Sequence, residues 1–112
     1  MDIEMIDRLF ESADEWNRYI LKEKQLENRV FRNFDFTGAQ FEFVSFDGSR
    51  FEKCKFENAS VLYVSFVGCE FFDCSFSNDK IEHTTFRNTK VLQCMFERIQ
   101  MLETDVSSCE LE

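Results

Sequence analysis

The sequence predicts an all-β solenoid over residues 29–112, wound as a square coil of five-residue sides, with a helical segment over residues 1–28 ahead of it. Three observations carry that reading. An apolar residue recurs at every fifth position from Phe31 to Leu111. A small residue tends to stand two places before it, and like falls on like at a period of twenty.

The leading segment obeys a different rule. Ile3, Ile6, Leu9, Phe10, Ala13, Trp16 and Ile20 recur at spacings of three and four, the period of an amphipathic helix. Ser12 to Glu15 read "SADE", a capping-box pattern, so two short helices that meet near Glu11 are an alternative to one. This segment is expected to cap the open backbone and apolar side chains of the first coil, or to serve as an arm for a partner. Its polar side mixes Asp7, Arg8, Glu15, Arg18, Lys22 and Glu23, whereas a membrane-binding helix carries a basic face.

From Phe31 the spacing changes to five. Phe36, Phe41, Phe46, Phe51 and Phe56 follow, and the series runs through Val61, Ile81, Val91, Met101 and Val106 to Leu111 without a polar residue. Eleven of the fifteen phenylalanines lie on it. A helix would scatter such residues around its axis and a strand would alternate them between faces, so neither element accounts for the spacing. A short extended step followed by a turn does.

Residues two apart in an extended step share a face. Ala39, Val44, Ser49, Cys54, Ala59, Val64, Cys69 and Cys74 therefore point inward with the central residue, while Asp35, Gln40, Arg50 and Lys55 between them point out. Two places remain to turn the chain. Gly38, Gly48 and Gly68 occupy the second of them, as do Asn33, Asn58, Asn78 and Asn88, which marks a corner that favours positive φ. Every twenty residues Cys54, Cys74 and Cys94 align, as do Val44 with Val64 and Thr84 with Thr104, so four sides complete one turn. Arg29, Phe34, Asp79 and Ile99 depart from the small position, and local distortion or an open coil end is expected there.

The segments "CSFSN", "AQFEF" and "CKFEN" carry a small residue, a polar residue, a central Phe and two variable residues, and in this the chain resembles the pentapeptide-repeat family. The resemblance covers residues 29–112 and implies a right-handed quadrilateral β-helix of about four coils. It also implies a partner: well-known members imitate B-form DNA in size and acidity and bind DNA gyrase in its place. The net charge here is −9, and residues 31–112 hold fourteen acids against eight bases. Such a charge disfavours nucleic acid and anionic lipid as direct partners. Glu52, Glu57 and Glu97 are the candidate mimicking acids, although Arg50, Lys53, Lys55, Lys80, Arg87 and Lys90 interrupt the acidic surface.

Catalysis is not expected, and no cofactor or metal is called for. His83 is the only histidine and stands at a corner away from any Ser, Cys or paired acid. All five cysteines take the small inward position, which reads as thiol-sized packing in a reducing compartment, and a Cys54–Cys74–Cys94 metal ladder lacks CxxC spacing. Asp79 faces inward by register and reads as a bulged corner or a carboxylate bonded to backbone NH groups in preference to a buried catalytic acid. With no apolar run long enough to span a membrane and no secretory leader, the expected location is cytoplasmic.

The expected function is that of a non-catalytic protein-binding module, with an inhibitor or modulator of a nucleic-acid enzyme such as gyrase as its sharpest form. A scaffolding solenoid in a larger assembly is the alternative, and an enzyme with a site at the helix–coil junction is a third class. Phe43, Tyr63 and His83 fall twenty apart at one corner with Leu62 and Leu102 beside them, which makes either a candidate partner-binding strip or a seat that the N-terminal helix folds over and buries. Phe72 and Leu92 form a smaller one. The last coil, through Met101, Val106 and Leu111, has nothing after it to shield its edge, so a two-fold homodimer through residues 96–112 is expected, opposed by Glu103, Asp105, Glu110 and Glu112.

Overall fold

A computed structural model describes residues 24–112, and the proposed capping helix lies outside the described residues. The described chain is a parallel β-solenoid with no helix. Twelve short strands make up its sides: β1 Val30–Arg32, β2 Gln40–Glu42, β3 Arg50–Glu52, β4 Lys55–Glu57, β5 Ser60–Leu62, β6 Glu70–Phe72, β7 Ser75–Ser77, β8 Lys80–Glu82, β9 Lys90–Leu92, β10 Met95–Glu97, β11 Gln100–Leu102 and β12 Glu110–Leu111. They form three parallel sheets, ordered β1-β3-β6-β9-β12, β4-β7-β10 and β2-β5-β8-β11.

Each pairing is offset by twenty residues, as in Phe31 on Phe51 and Phe56 on Phe76. The fourth side is held by single bridges, Gln25 to Ser45 to Ser65 to Thr85 to Asp105. That side begins before residue 29: Leu26 is fully buried on it, and its amide donates to the Ser45 carbonyl at 2.8 Å. Lys24 to Asn28 therefore already belong to the coil.

Stacking at the coil rise turns the comb into columns of rings. Phe31, Phe51 and Phe71 lie nearly parallel with centroids 5.0 and 4.8 Å apart. Phe36, Phe56, Phe76 and Phe96 stack at 5.0, 4.7 and 4.9 Å, and Phe46, Phe66 and Phe86 at 5.3 and 4.8 Å. Neighbouring columns meet edge to face, as at Phe46–Phe51 and Phe56–Phe71. The geometry satisfies both preferred arrangements of aromatic rings.

The corners have positive φ at every fifth residue, including fourteen that are not glycine, from Asn28 to Ser108. Left-handed backbone disfavours an ordinary side chain by about 1–2 kcal/mol. What offsets it is position: the amide at each such corner from Asn28 to Gln93 donates to a carbonyl of the next coil, as Tyr63 does to Glu82 at 3.1 Å. The backbone is thus locked where the chain must turn.

Small inward side chains fasten one coil to another as well as fill space. Cys54 donates its Sγ–H to the Phe31 carbonyl at 3.3 Å, Cys69 to that of Phe46 at 3.1 Å, Thr89 to that of Phe66 at 2.6 Å and Cys109 to that of Phe86 at 2.9 Å. Each reaches the central residue twenty-three places earlier. No distortion accompanies the residues that depart from the pattern. Phe34 is buried and stacks on Phe36 at 5.3 Å, and the Gln100 amide reaches the Asp79 carbonyl at 3.0 Å in unbroken register. The larger side chain of Phe34 is accommodated within the unbroken hydrogen-bonded register, the Lys55 amide reaching its carbonyl at 2.9 Å.

Burial falls off toward the C-terminus. Phe31 through Phe51 are closed in, while Phe96, Met101, Val106 and Leu111 are 48%, 49%, 51% and 73% exposed. A Phe truncation should therefore depend on its floor. Phe51→Ala is expected to destabilise the coil by about 3–5 kcal/mol. Phe96→Ala, at the open end, should cost no more than about 2 kcal/mol, with urea denaturation measuring both.

Candidate functional site

Corner residues cannot turn inward, so a large side chain there must lie on the outside of the coil. Phe43, Tyr63, His83 and Glu103 occupy one corner of four successive coils with φ between 48° and 55°. Their outward position and the coil rise bring the rings face to face. Phe43 and Tyr63 stack at 5.0 Å and 6°, and Tyr63 and His83 at 4.7 Å and 5°. Glu103 closes the column, its Oε2 accepting from His83 Nδ1 at 2.8 Å.

The three rings predicted to form a strip are thus brought together. Phe43 and Tyr63 are 61% and 51% exposed even in the stack. Beside them runs an open groove of about 480 Å³, floored by Val44, Ser45, Val64 and Ser65 and edged by Lys24 and Gln25. Lys24 Nζ donates to the Glu42 carbonyl at 2.9 Å, which fixes a positive charge near the Phe43 end of the ladder. Sequence reasoning missed this groove because Lys24 and Gln25 fell within the segment read as helical or capping.

The two leucines belong to the strip less directly. Leu62 and Leu102 do not adjoin each other, since Glu82 stands between them and Glu42 lies below Leu62. Leu62 is half-buried and Leu102 exposed. Phe72 and Leu92 do stack in register, both half-buried, on the side that carries Glu52.

The candidate acids do not make a stripe. Glu52 bonds Arg32 Nε at 2.7 Å and Arg50 Nε at 2.8 Å, Glu57 lies 3.7 Å from Lys55 Nζ, and Glu97 lies 3.2 Å from Arg98. Glu57 and Glu97 share one column with Ser77 between them, while Glu52 sits on another side. Paired basic neighbours leave the negative charge broken into patches.

At the C-terminal end the interior opens as an apolar bowl of about 370 Å³. Phe96, Met101, Val106 and Leu111 form its rim, and Phe76 and Phe86 lie deeper. The outer strands β10, β11 and β12 each have a neighbour on one side only.

Cys69, Cys74 and Cys94 are held in the protonated form. Burial pushes Cys69 up to about 12; a hydrogen bond with Cys54, together with burial, pushes Cys74 up to about 12; and the bond with Cys74 followed by burial raises Cys94. A protonated thiol donates a hydrogen bond and is a poor nucleophile or metal ligand. Among the described residues, no group of His, Cys, Asp or Glu is arranged to hold a metal ion, and no helix is long and apolar enough to cross a membrane.

These features define a square-coiled β-solenoid of pentapeptide-repeat architecture that displays an aromatic ladder on one corner. Residues 12–96 match the family model of the SV2A/B/C luminal domain, and the chain belongs to that family. The coil is similar to the crystal structure of the pentapeptide-repeat protein Rfr23 from the cyanobacterium Cyanothece 51142, with a TM-score of 0.65 and 12% identity. That match covers 79% of this chain and 64% of Rfr23, so the chain spans less than two thirds of it, and the likeness is one of fold. Two structures of QnrB1, a plasmid-mediated fluoroquinolone resistance protein, match with TM-scores of 0.26 and 0.24 at 19% and 15% identity, over 79% and 76% of this chain and 65% and 63% of theirs. No curated protein matches the chain. The pentapeptide likeness therefore holds for the fold, while the sequence itself falls in the SV2 luminal-domain family.

Proposed function

We propose that this protein is a non-catalytic protein-binding module that engages its partner through the Phe43–Tyr63–His83 ladder. The exposed stack carries the proposal: large rings held on hydrogen-bonded corners are pre-ordered, so binding freezes few rotamers, and aromatic anchors dominate the energetics of interfaces. Protonated thiols used as hydrogen-bond donors support the absence of catalysis. Five unpaired thiols support a cytoplasmic location, whereas the description of the SV2 family names a lumen.

Replacing both Phe43 and Tyr63 by Ala removes the ladder without touching the inward comb. The double variant should keep its thermal midpoint within a few degrees and lose at least tenfold in partner capture, measured in parallel from cytosolic and luminal extracts. Lower thermal stability with capture intact would instead assign the strip to the N-terminal cap, and the ladder would not be the binding surface. Capture confined to the luminal extract would remove the cytoplasmic placement.

The net charge of −9 favours a second reading, an inhibitor or modulator of a nucleic-acid enzyme such as DNA gyrase by imitation of DNA. Under it, excess protein inhibits supercoiling, and Lys substitutions at Glu52, Glu57 and Glu97 abolish the inhibition while the fold is retained. The basic partners of these acids weigh against it. Unchanged supercoiling at high excess would eliminate gyrase.

The apolar bowl supports a homodimer through residues 96–112, with Met101, Val106 and Leu111 at the two-fold. Glu103, Asp105, Glu110 and Glu112 ring that end, so association should strengthen as salt screens them. Light scattering should show a doubled mass at high salt, reversed by Leu111→Lys. A monomer at high concentration and high salt would dispose of the dimer.

A further inference from the structure

Several inward polar side chains make the same two bonds. Ser49 Oγ accepts from the Arg29 amide at 3.1 Å and donates to the Leu26 carbonyl at 2.9 Å. Thr84 Oγ1 accepts from Val64 at 3.3 Å and shares its one O–H between the Glu82 carbonyl at 2.9 Å and the Val61 carbonyl at 3.5 Å. Cys94 Sγ accepts from Cys74 at 3.4 Å and shares its S–H between the Leu92 carbonyl at 3.4 Å and the Phe71 carbonyl at 3.5 Å. In each case the amide lies twenty residues earlier and one accepting carbonyl twenty-three.

Asp79 makes half of this motif. It is 1% exposed, and its Oδ1 accepts from the Ala59 amide, twenty residues earlier, at 2.8 Å. The carbonyl twenty-three residues earlier belongs to Phe56. Asp79 Oδ2 is buried and has no hydrogen-bond partner among the described residues. A carboxylate has only acceptors, so it cannot fill the donating role that Ser, Thr and Cys fill elsewhere, whereas a carboxylic acid has the required O–H.

We propose that Asp79 is a proton-operated latch, its neutral form donating Oδ2–H to the Phe56 carbonyl and its ionised form leaving that bond unmade. The latch joins two adjacent coils. Its surroundings favour the neutral form: Ala59 below and Ile99 above occupy the same inward column, and both are apolar. The charged groups nearby are Glu57 with its partner Lys55 from the coil below, Lys80 next in sequence, and the Glu97–Arg98 pair from the coil above. Burial pushes the Asp79 carboxyl up to about 6; the Ala59 and Ser77 amides pull it down, and Glu57 adds to the rise.

The direction of the pH dependence follows from that rise. Unfolded Asp ionises near 3.8, below the folded value, so the latch contributes fully below pH 3.8 and is lost as pH rises through about 6. Asp79→Asn keeps both bonds at every pH, because its amide oxygen accepts and its Nδ2–H donates.

Thermal midpoints of the full chain and of Asp79→Asn, compared between pH 4.5 and pH 8, test the latch. The gap between them should be small at pH 4.5 and close as pH falls to 3.8, and the Asn variant should melt higher by on the order of 5 °C at pH 8. Parallel profiles that keep the same gap across the range would overturn the proposal. A carbon-13 titration of the Asp79 carboxyl in the unaltered protein supplies an independent readout if the variant fails to fold. A midpoint near 6 is expected, and one near 4 would sink the latch.

Discussion

Residue n lies on residue n+20, and the rest of the structure depends on that registration. The ladder hydrogen bonds between coils set the rise, the rise sets the distance between stacked rings, and the rings fill an interior too narrow for other contents. Phe56 and Phe76 illustrate the closeness, with centroids 4.7 Å apart and planes 1° from parallel. Because backbone and side chains share one repeat, no side chain can be placed independently of those above and below it. The same rule that builds the core outside-in also builds the surface: Phe43, Tyr63 and His83 stack because the chain that carries them is stacked.

Most of the architecture could be read from the sequence because a period of five and a period of twenty leave one economical geometry. The corners were legible through Gly38, Gly48 and Gly68, and the structure extends their left-handed backbone to residues such as Phe43 and Lys53 that no propensity would have nominated. There the tertiary hydrogen bond from the corner amide overrides the local preference. The start of the coil was less legible. Leu26 obeys the spacing, but a single Leu beside a helix-like run gives no second repeat to confirm it.

The candidate site was half visible for a related reason. Columns follow from arithmetic, so the aromatic ladder could be listed in advance as a set of residues. Ion pairs between columns do not: Glu52 bridging Arg32 and Arg50 depends on side-chain reach across a corner, and only coordinates show that the acids are offset by bases. Nor did composition reveal why Cys, Ser and Thr recur inside. Size explained the choice well enough that the hydrogen bond to the carbonyl of the floor below went unsuspected, and Asp79 became interpretable only beside Ser49, Thr84 and Cys94.

A coil whose corners recur at a fixed count also restricts how such a gene can grow. Loss or gain of one residue would rotate every later side chain off its face, exchanging lining for exterior, so the lesion spreads to the end of the chain instead of staying in a loop. Five residues inserted would keep inside and outside but shift each later side by a quarter turn, setting Phe columns above the Val and Ile of another wall. Only twenty at a time adds a storey and leaves the building as it was. Duplication of whole coils is thus the one kind of length change that this architecture accepts without repair.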